Sequence, residues 1–401
     1  MTASIPALVE PLVLRWARES VGLSPLAAAR KLGVPDDRVD LWEQGQAQPT
    51  VSQLRKAAAV YKRPLGVFFL AQPPQDFDAM RDFRRHVDAT GGQWSPELHG
   101  EYRRAQLQRE NALELFELED DQPPTAWRID DLPSDDPEAA GALARARLLA
   151  HAVVPLPSGV GTSYDHLNAW TAALEEAGVL VLATSRGGVS PSEMRAFSLY
   201  FDELPIIVAN GADGARGRLF SMLHEYAHLI LHTAGLCDTV TDARATTPDR
   251  ELEARCNAIA AAILMPAGDV LAQPLVAARA HRPEDWTYDD LRAAAAPFGV
   301  SAEAFLRRLA TLGRTTQTFY QRRRAEFLAA YEADEERTKA SGGNWYRNTA
   351  RDLGKGYVRR IADAYRRRVI DSYTAASYLN VKVDQIPRLA QEASLQVSAQ
   401  R

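Results

Sequence analysis

The sequence predicts a mainly α-helical protein with a small α+β part. Four short amphipathic segments, separated by Gly22, Gly33 and Gly45, open the chain. Short apolar runs bounded by turn residues follow between about 179 and 208 and indicate a small sheet. Beyond about residue 276 the periodicity is helical. We therefore expect an all-helical amino-terminal domain, an α+β central domain and a helical carboxy-terminal domain.

Composition limits the kind of protein. The 401 residues include 47 basic and 52 acidic side chains, a net charge of -5, which argues against a protein that coats nucleic acid over its whole surface. The two cysteines cannot build a disulfide framework and fit a reducing compartment. The sequence shows neither a signal peptide nor an apolar run long enough to cross a membrane. These features predict a cytoplasmic protein without a membrane partner.

Composition shifts divide the chain into four parts. We predict a helical domain over 1–72, a helical and acidic connector over 73–160, an α+β domain over 161–275 and a helical domain over 276–401. Arginine clusters in the last part, such as Arg307-Arg308 and Arg366-Arg367-Arg368, are interpreted as solvated helix faces in preference to a surface for nucleic acid or an acidic partner.

Hydrophobic periodicity and turn signals give the element boundaries. The predicted amino-terminal helices cover 12–20, 24–32, 35–44 and 51–61. In the central part, strands are predicted at 179–182, 197–201 and 206–208, and helices at 216–232 and 248–264.

The most informative motif is His224-Glu225-Tyr226-Ala227-His228. On a helix, His224 and His228 share one face because they are four residues apart, so both imidazoles can reach one zinc ion. Glu225 then faces the open side of the metal, where a carboxylate can take a proton from water. The motif predicts a zinc hydrolase with Glu225 as the catalytic base.

Such a site needs a third protein ligand. The predicted helix at 248–264 places Glu253 and Asn257 on one stripe beside its apolar face, so Glu253 can face the helix of the histidines. The spacing does not by itself exclude Glu251, Asp238 or Asp242.

Two further residues lie close to the motif in sequence. His232 lies one turn beyond the motif and is expected to cap or pack rather than bind metal. Cys237, in the following loop, is a less favoured alternative as an inhibitory metal ligand. Cys256, on the apolar stripe, is interpreted as a buried structural cysteine.

Residues 165–275 resemble the ImmA/IrrE family of zinc metallopeptidases. The resemblance rests on the HExxH helix and on Glu253-xxx-Asn257 running to Leu264-Met265-Pro266. It implies a zincin-like α+β fold, with His224, His228 and Glu253 as zinc ligands and Glu225 as the catalytic residue. It also implies a protein substrate, a repressor-type DNA-binding regulator.

The amino-terminal residues, about 9–70, are similar to the XRE-type helix-turn-helix of phage repressors. Ala28 is small where two helices cross, Gly33 makes the turn, and Trp42 faces inward. The resemblance places the third helix in the major groove of double-stranded DNA. The candidate DNA contacts are Lys31, Asp37, Arg38, Asp40, Leu41 and Gln44.

The predicted recognition helix is acidic. Asp36, Asp37 and Asp40 would repel phosphates, so a dimerisation or protein-docking module is an equal alternative to DNA binding. A homodimer is the expectation for a repressor-like module.

Together these features predict a zinc-dependent endopeptidase coupled to transcriptional regulation. It would cleave a repressor-type regulator in a stress, mobile-element or defence response. The alternative is a DNA-binding regulator, or an antitoxin-like component beside a toxin partner, in which the zinc domain is a scaffold or sensor. The two differ in whether Glu225 is needed for function.

Overall fold

The structure is a computed structural model. It describes residues 6–61, 63, 65–73, 95–133, 135–157, 161–185, 188–232, 235–237, 247–279, 284–338 and 344–394. Contacts divide the chain into two compact units, Met1–Arg104 and Ala105–Arg401. Within the described ranges, no helix combines the length and the apolar character that a bilayer span requires.

The first unit is all-helical, as predicted. Its helices are α1 (Pro11–Glu19), α2 (Pro25–Leu32), α3 (Arg38–Glu43) and α4 (Val51–Val60), and a 3₁₀ turn at Leu65–Phe69 follows. Three of the four predicted helices agree with these bounds to within one residue. The third begins later than predicted because residues 35–37 form the turn that leads into it.

Capping and one buried ion pair fix this unit. Ser24 and Thr50 accept hydrogen bonds from the backbone of the first turns of α2 and α4. Trp42 of α3 lies in the apolar core. Arg18 of α1 and Glu43 of α3 form a buried, two-pronged ion pair with both N–O distances at 2.7 Å. The pair joins the first and third helices.

The second unit combines helices with a small sheet, as predicted. Its first elements are α5 (Pro96–Leu118), which begins before the unit boundary, α6 (Pro137–Ala150), α7 (Ser163–Glu176), β1 (Leu180–Ala183), β2 (Ala196–Leu199), β3 (Ile206–Ala209), α8 (Ala215–Ile230), β4 (Gly235–Cys237) and α9 (Thr247–Leu264). The predicted strands and helices of this region are present, with ends shifted by at most two residues.

The four strands form one sheet in the order β1-β3-β2-β4. Strands β1 and β3 pair in parallel, with Leu180 opposite Ile206, whereas β2 pairs antiparallel with both β3 and β4. Every residue of β1, β2 and β3 is buried, in keeping with sequences that are apolar apart from Ser198 of β2. Helix α8 packs on this sheet and against α7 and α9.

The remaining helices complete the second unit. They are α10 (Ala267–Leu271), α11 (Pro274–Ala278), α12 (Tyr288–Ala295), α13 (Ala302–Thr311), α14 (Gln317–Thr338), α15 (Trp345–Leu353), α16 (Lys355–Arg366), α17 (Ser372–Leu379) and α18 (Ile386–Ser394). Short 3₁₀ turns at Ala296–Phe298 and Val383–Gln385 lie between them. The carboxy-terminal part is therefore helical, as predicted.

The second half of the expected connector contributes to the central core. Trp127 and Ile129 are buried in the same apolar cluster as α8 and α9, and α6 packs along α9. The acidic and proline-rich composition of this region predicts a solvated connector. Trp127 and the alanine-rich helix α6 nevertheless pack into the core. Gly178 fits this packing, because its φ is +101° and a Cβ there would lie 1.8 Å from the carbonyl oxygen of Pro124.

Candidate metal centre

The two histidines of the HExxH motif lie side by side on α8. Both side chains are almost fully buried, because α8 lies between the sheet and α9. The four-residue spacing brings the rings to a centroid distance of 4.9 Å. Nε2 of His224 lies 3.1 Å from Nε2 of His228. The motif therefore presents two imidazole nitrogens to one point.

Glu253 of α9 meets both histidines. Its Oε2 lies 3.1 Å from Nε2 of His224, and its Oε1 lies 3.2 Å from Nε2 of His228. One carboxylate thus faces both imidazoles with one oxygen each. Glu253 and Glu251 are the candidates for the third ligand that lie among the described residues, and the helix packing brings Glu253 to the histidines.

Two further residues of α9 hold the histidines in place. Nδ1 of His224 lies 3.1 Å from Oδ1 of Asn257, and the thiol of Cys256 hydrogen-bonds to His228. Metal-binding histidines commonly use their second nitrogen as His224 uses Nδ1 here, which fixes the ring orientation. Cys256 is buried, as the sequence indicated, but its contact with His228 was not predicted.

The electrostatics of the three residues are coupled. Burial disfavours charge on His228, but hydrogen bonds to Cys256 and Glu253 raise its pKa well above the usual value. Burial also disfavours charge on Glu253, but hydrogen bonds from His224 and His228 lower its pKa to about 2. The cluster therefore favours a charged carboxylate on Glu253 and, without a metal ion, a protonated imidazole on His228.

Glu225 lies on α8 beside the two histidines and is fully buried. Its Oε2 accepts a hydrogen bond of 2.7 Å from the hydroxyl of Ser198 on β2. Its Oε1 has no hydrogen-bond partner among the described residues. One carboxylate oxygen is therefore fixed by the sheet, and the other remains available as a proton acceptor. Ser198 was not singled out from the sequence, because its contact depends on how β2 packs under α8.

The other candidates near the motif lie elsewhere. Nδ1 of His232 lies 3.0 Å from the hydroxyl of Tyr200, which agrees with the expectation that His232 packs rather than binds metal. Glu251 is exposed and does not belong to the cluster. The side chain of Cys237, and all of Asp238 and Asp242, lie outside the described residues.

The donor set fits a divalent zinc-type ion. Ligand atoms of His224, His228 and Glu253 all lie within 4.8 Å of one another. Donors at about 2.0–2.1 Å from a tetrahedral ion are roughly 3.3 Å apart, close to the spacings between these nitrogens and oxygens. Two imidazole nitrogens that face each other also require a proton or a cation between them. Two histidines and one carboxylate are a ligand set typical of zinc hydrolases, which keep a fourth position open.

The six residues predicted to contact DNA differ in solvent exposure. Lys31, Asp37, Asp40 and Gln44 are exposed, whereas Arg38 and Leu41 are half-buried. These residues lie on α2, on α3 or next to the ends of α3, so they share the surface formed by the two helices and the turn between them. Their role in DNA contact stays a prediction.

Comparisons with known families match one family model in each of the two units. Residues 174–310 match the family model described as the IrrE N-terminal-like domain of M78 peptidases, and residues 14–68 match the helix-turn-helix family model. The first match ends beyond residue 275, where the sequence placed the end of the central domain. No curated protein and no solved structure matches the chain significantly.

The structure and the two matches define the class of protein. The chain carries an IrrE/ImmA-like metallopeptidase domain in its second unit and an XRE-type helix-turn-helix domain in its first. It therefore joins a peptidase domain to a domain of the kind that binds DNA in transcriptional regulators.

Proposed function

We infer that the protein is a zinc-dependent endopeptidase coupled to transcriptional regulation. The observation that supports this most is the convergence of two imidazoles and one carboxylate next to a buried glutamate with one unpartnered oxygen. A site that only stabilises the fold would use four protein ligands and would not need such a glutamate.

The residues of the site have distinct roles. His224, His228 and Glu253 would hold the zinc, which when bound supplies the Lewis acidity that polarises a peptide carbonyl. Oε1 of Glu225 accepts a proton from the attacking water, while Oε2 stays bonded to Ser198. Glu225 then returns the proton to the amine of the leaving group, so no net proton remains on the enzyme.

The substrate that fits this arrangement best is a repressor-type DNA-binding protein in the cytoplasm. A peptidase domain and a helix-turn-helix domain on one chain can be brought to the same regulatory region of DNA. Cleavage of a regulator there would change transcription in a stress, mobile-element or defence response. The helix-turn-helix domain would use Lys31, Arg38 and Gln44 for DNA contact and would form a homodimer.

Glu225→Gln separates catalysis from metal binding. New protein amino termini would be compared, by mass spectrometry, in cells that produce the wild type or this variant. We expect cleavage products with the wild type only and one zinc per chain in both proteins by elemental analysis. The matched control is Glu251→Gln, which removes an exposed carboxylate from α9 and should cleave like the wild type.

The opposite result supports the regulatory alternative. Identical amino termini in the wild type and Glu225→Gln, with unchanged control of transcription, would contradict the peptidase function. The helix-turn-helix match would then favour a DNA-binding regulator, or an antitoxin-like component with a toxin partner, in which the zinc domain is a scaffold or sensor.

A further inference from the structure

Two segments of the chain, far apart in sequence, have the same backbone design. Helices α2 and α17 both have eight residues, and each begins after a residue whose side chain accepts a hydrogen bond from the backbone three positions on. These residues are Ser24 and Asp371. The offset between the two segments is 347 residues, and it applies to each correspondence described below.

The turns that follow the two helices also match. Gly33 and Asn380 both adopt the left-handed conformation, with φ of 69° and 51°. In each turn the next residue, Val34 or Val381, donates a backbone hydrogen bond to the carbonyl five positions before it, at 3.1 and 3.0 Å. A left-handed residue at this position ends a helix and redirects the chain, which a helix-turn-helix requires.

The second helices continue the match. Arg38 donates its backbone N–H to the carbonyl of Pro35 at 2.9 Å, and Gln385 donates to the carbonyl of Lys382 at 3.0 Å. The helices that begin there, α3 and α18, bury apolar side chains at the same two positions. The pairs are Val39 with Ile386 and Trp42 with Leu389.

The first helices have matching interiors. Ala28 and Ala375 are both completely buried, and Leu32 and Leu379 are both buried at the last position of the helix. Small residues at such a position allow two helices to cross closely. In the second unit, α16 packs against both α17 and α18 and supplies the preceding helix of the motif. The correspondence therefore covers caps, turn and core.

Charge distinguishes the carboxy-terminal segment from its amino-terminal counterpart. Residues 344–394 contain ten basic and five acidic side chains, a net charge of +5 within a chain of -5. The positions of Asp36, Asp37 and Asp40 correspond to Val383, Asp384 and Pro387, so two of the three aspartates are replaced by neutral residues. This segment thus repels phosphates less than α3 does.

The exposed face of α18 has the residue types that read duplex DNA. Arg388 and Gln391 are exposed and occupy the positions that correspond to Leu41 and Gln44. Arginine and glutamine recognise guanine and adenine edges in the major groove. Lys382 is exposed in the turn, and Tyr373, 79% exposed at the start of α17, can donate its hydroxyl to a phosphate.

We propose that α17 and α18 form a second helix-turn-helix, which binds double-stranded DNA with α18 in the major groove. Lys382 contacts phosphate, and Arg388 and Gln391 face the bases. This site lies in the second unit, is independent of the metal centre, and adds to any contact made by α2 and α3.

The test measures binding of the full-length protein to random-sequence duplexes of about 30 base pairs, roughly three helical turns. Fluorescence anisotropy would be recorded between about 50 and 200 mM salt, because each phosphate contact adds about 0.9 to the slope of log affinity against log salt. The key variant is Lys382→Ala/Arg388→Ala. Its counterpart in the first unit is Lys31→Ala/Gln44→Ala.

Separate controls test whether weaker binding comes from a general loss of positive charge or from misfolding. Arg292→Ala/Arg322→Ala also removes two exposed cations, on α12 and α14, and should bind like the wild type. Because Arg388 lies over the ring of Tyr346, Lys382→Gln/Arg388→Gln serves as a second variant that retains side-chain length. Circular dichroism and thermal melting check that each variant is folded.

We expect both carboxy-terminal double variants to bind about tenfold or more weakly, with a salt slope smaller in magnitude by roughly one, for the phosphate contact of Lys382. Failure of the wild type to bind at the lowest salt would overturn the proposal. So would carboxy-terminal variants with wild-type affinity and slope, and in that case protein docking would be the role of α17 and α18.

Discussion

The hydroxyl of Ser198 donates a hydrogen bond of 2.7 Å to Oε2 of Glu225. Ser198 lies on β2 and Glu225 on α8, so the contact crosses from the sheet to the helix that carries the HExxH motif. It fixes the orientation of the carboxylate whose other oxygen has no partner among the described residues. In the proposed mechanism, Ser198 is therefore a positioning residue for the general base, Glu225.

Ser198→Ala tests this role. Loss of the hydrogen bond lets the carboxylate rotate away from the water that it must deprotonate, so kcat should fall roughly tenfold, a fraction of the 10²–10⁴ that a general base contributes. KM and zinc content should not change. Ser221→Ala, which removes another buried hydroxyl and lies on α8 itself, is the matched control. Equal kcat values for the two variants would contradict the assignment.

Cys256 holds His228 through a hydrogen bond from the adjacent helix. Removal of such an outer partner commonly weakens metal binding by about 10–100-fold, because the imidazole loses its fixed orientation. Cys256→Ala should therefore raise the dissociation constant for zinc by that amount, measured with a competing chelator. Cys256→Ser, which keeps a hydrogen-bonding group, should retain more of the affinity. Zinc affinity equal to that of the wild type in Cys256→Ala would show that the contact does not orient His228.

Much of the candidate metal site could be predicted because each part of it depends on residues close together in sequence. The spacing of His224 and His228 on one helix and the stripe position of Glu253 on another follow from helical periodicity. The contact of Ser198 could not be predicted, since the strand pairings and the packing of α8 on the sheet bring together residues 27 apart in sequence. The contact of Cys256 could have been predicted, because Cys256 is three residues from Glu253 and hence lies on nearly the same face of the helix.

The fold was predicted to a similar extent. Strands β1 to β3 and helices α8 and α9 follow from apolar patterns, whereas the strand order and β4 depend on pairings distant in sequence. The motif of α17 and α18 was missed because few of its residues are identical to those of α2 and α3. The signal lies in its Asp371 cap and in Leu379-Asn380-Val381, the counterpart of Leu32-Gly33-Val34.

Arg308 belongs to a sequence cluster of arginines but is buried. The sequence placed it on a solvated face, but its side chain is 1% exposed and pairs with Glu138, with Nη2 at 2.7 Å from Oε2. Its Nε also donates to the carbonyl of Met265 at 2.9 Å. This arginine therefore joins α6, α13 and the end of α9, so the interpretation of Arg308 as solvated was wrong.

Arg308→Ala should destabilise the second unit. It leaves the carbonyl of Met265 and the carboxylate of Glu138 without their partner, and we expect a loss of about 2 kcal/mol, below the full value for a buried pair because Glu138 is 45% exposed. Arg308→Lys should recover little, since lysine lacks the guanidinium fork. Urea denaturation measures the change. The neighbouring Arg307 is exposed, and Arg307→Ala should change stability by less than about 0.5 kcal/mol.

Metal removal should lower the stability of the folded chain, because the three ligands come from two helices that converge only when folded. Free zinc at about 100 times its dissociation constant adds about 2.7 kcal/mol, which corresponds to roughly 5–10 °C in melting temperature. Thermal melting with a chelator and with zinc would measure this shift in the wild type. His228→Ala should melt at one temperature under both conditions, since His224 and Glu253 alone bind zinc weakly. A wild type that melts at the same temperature with zinc and with chelator would exclude zinc binding by these three residues.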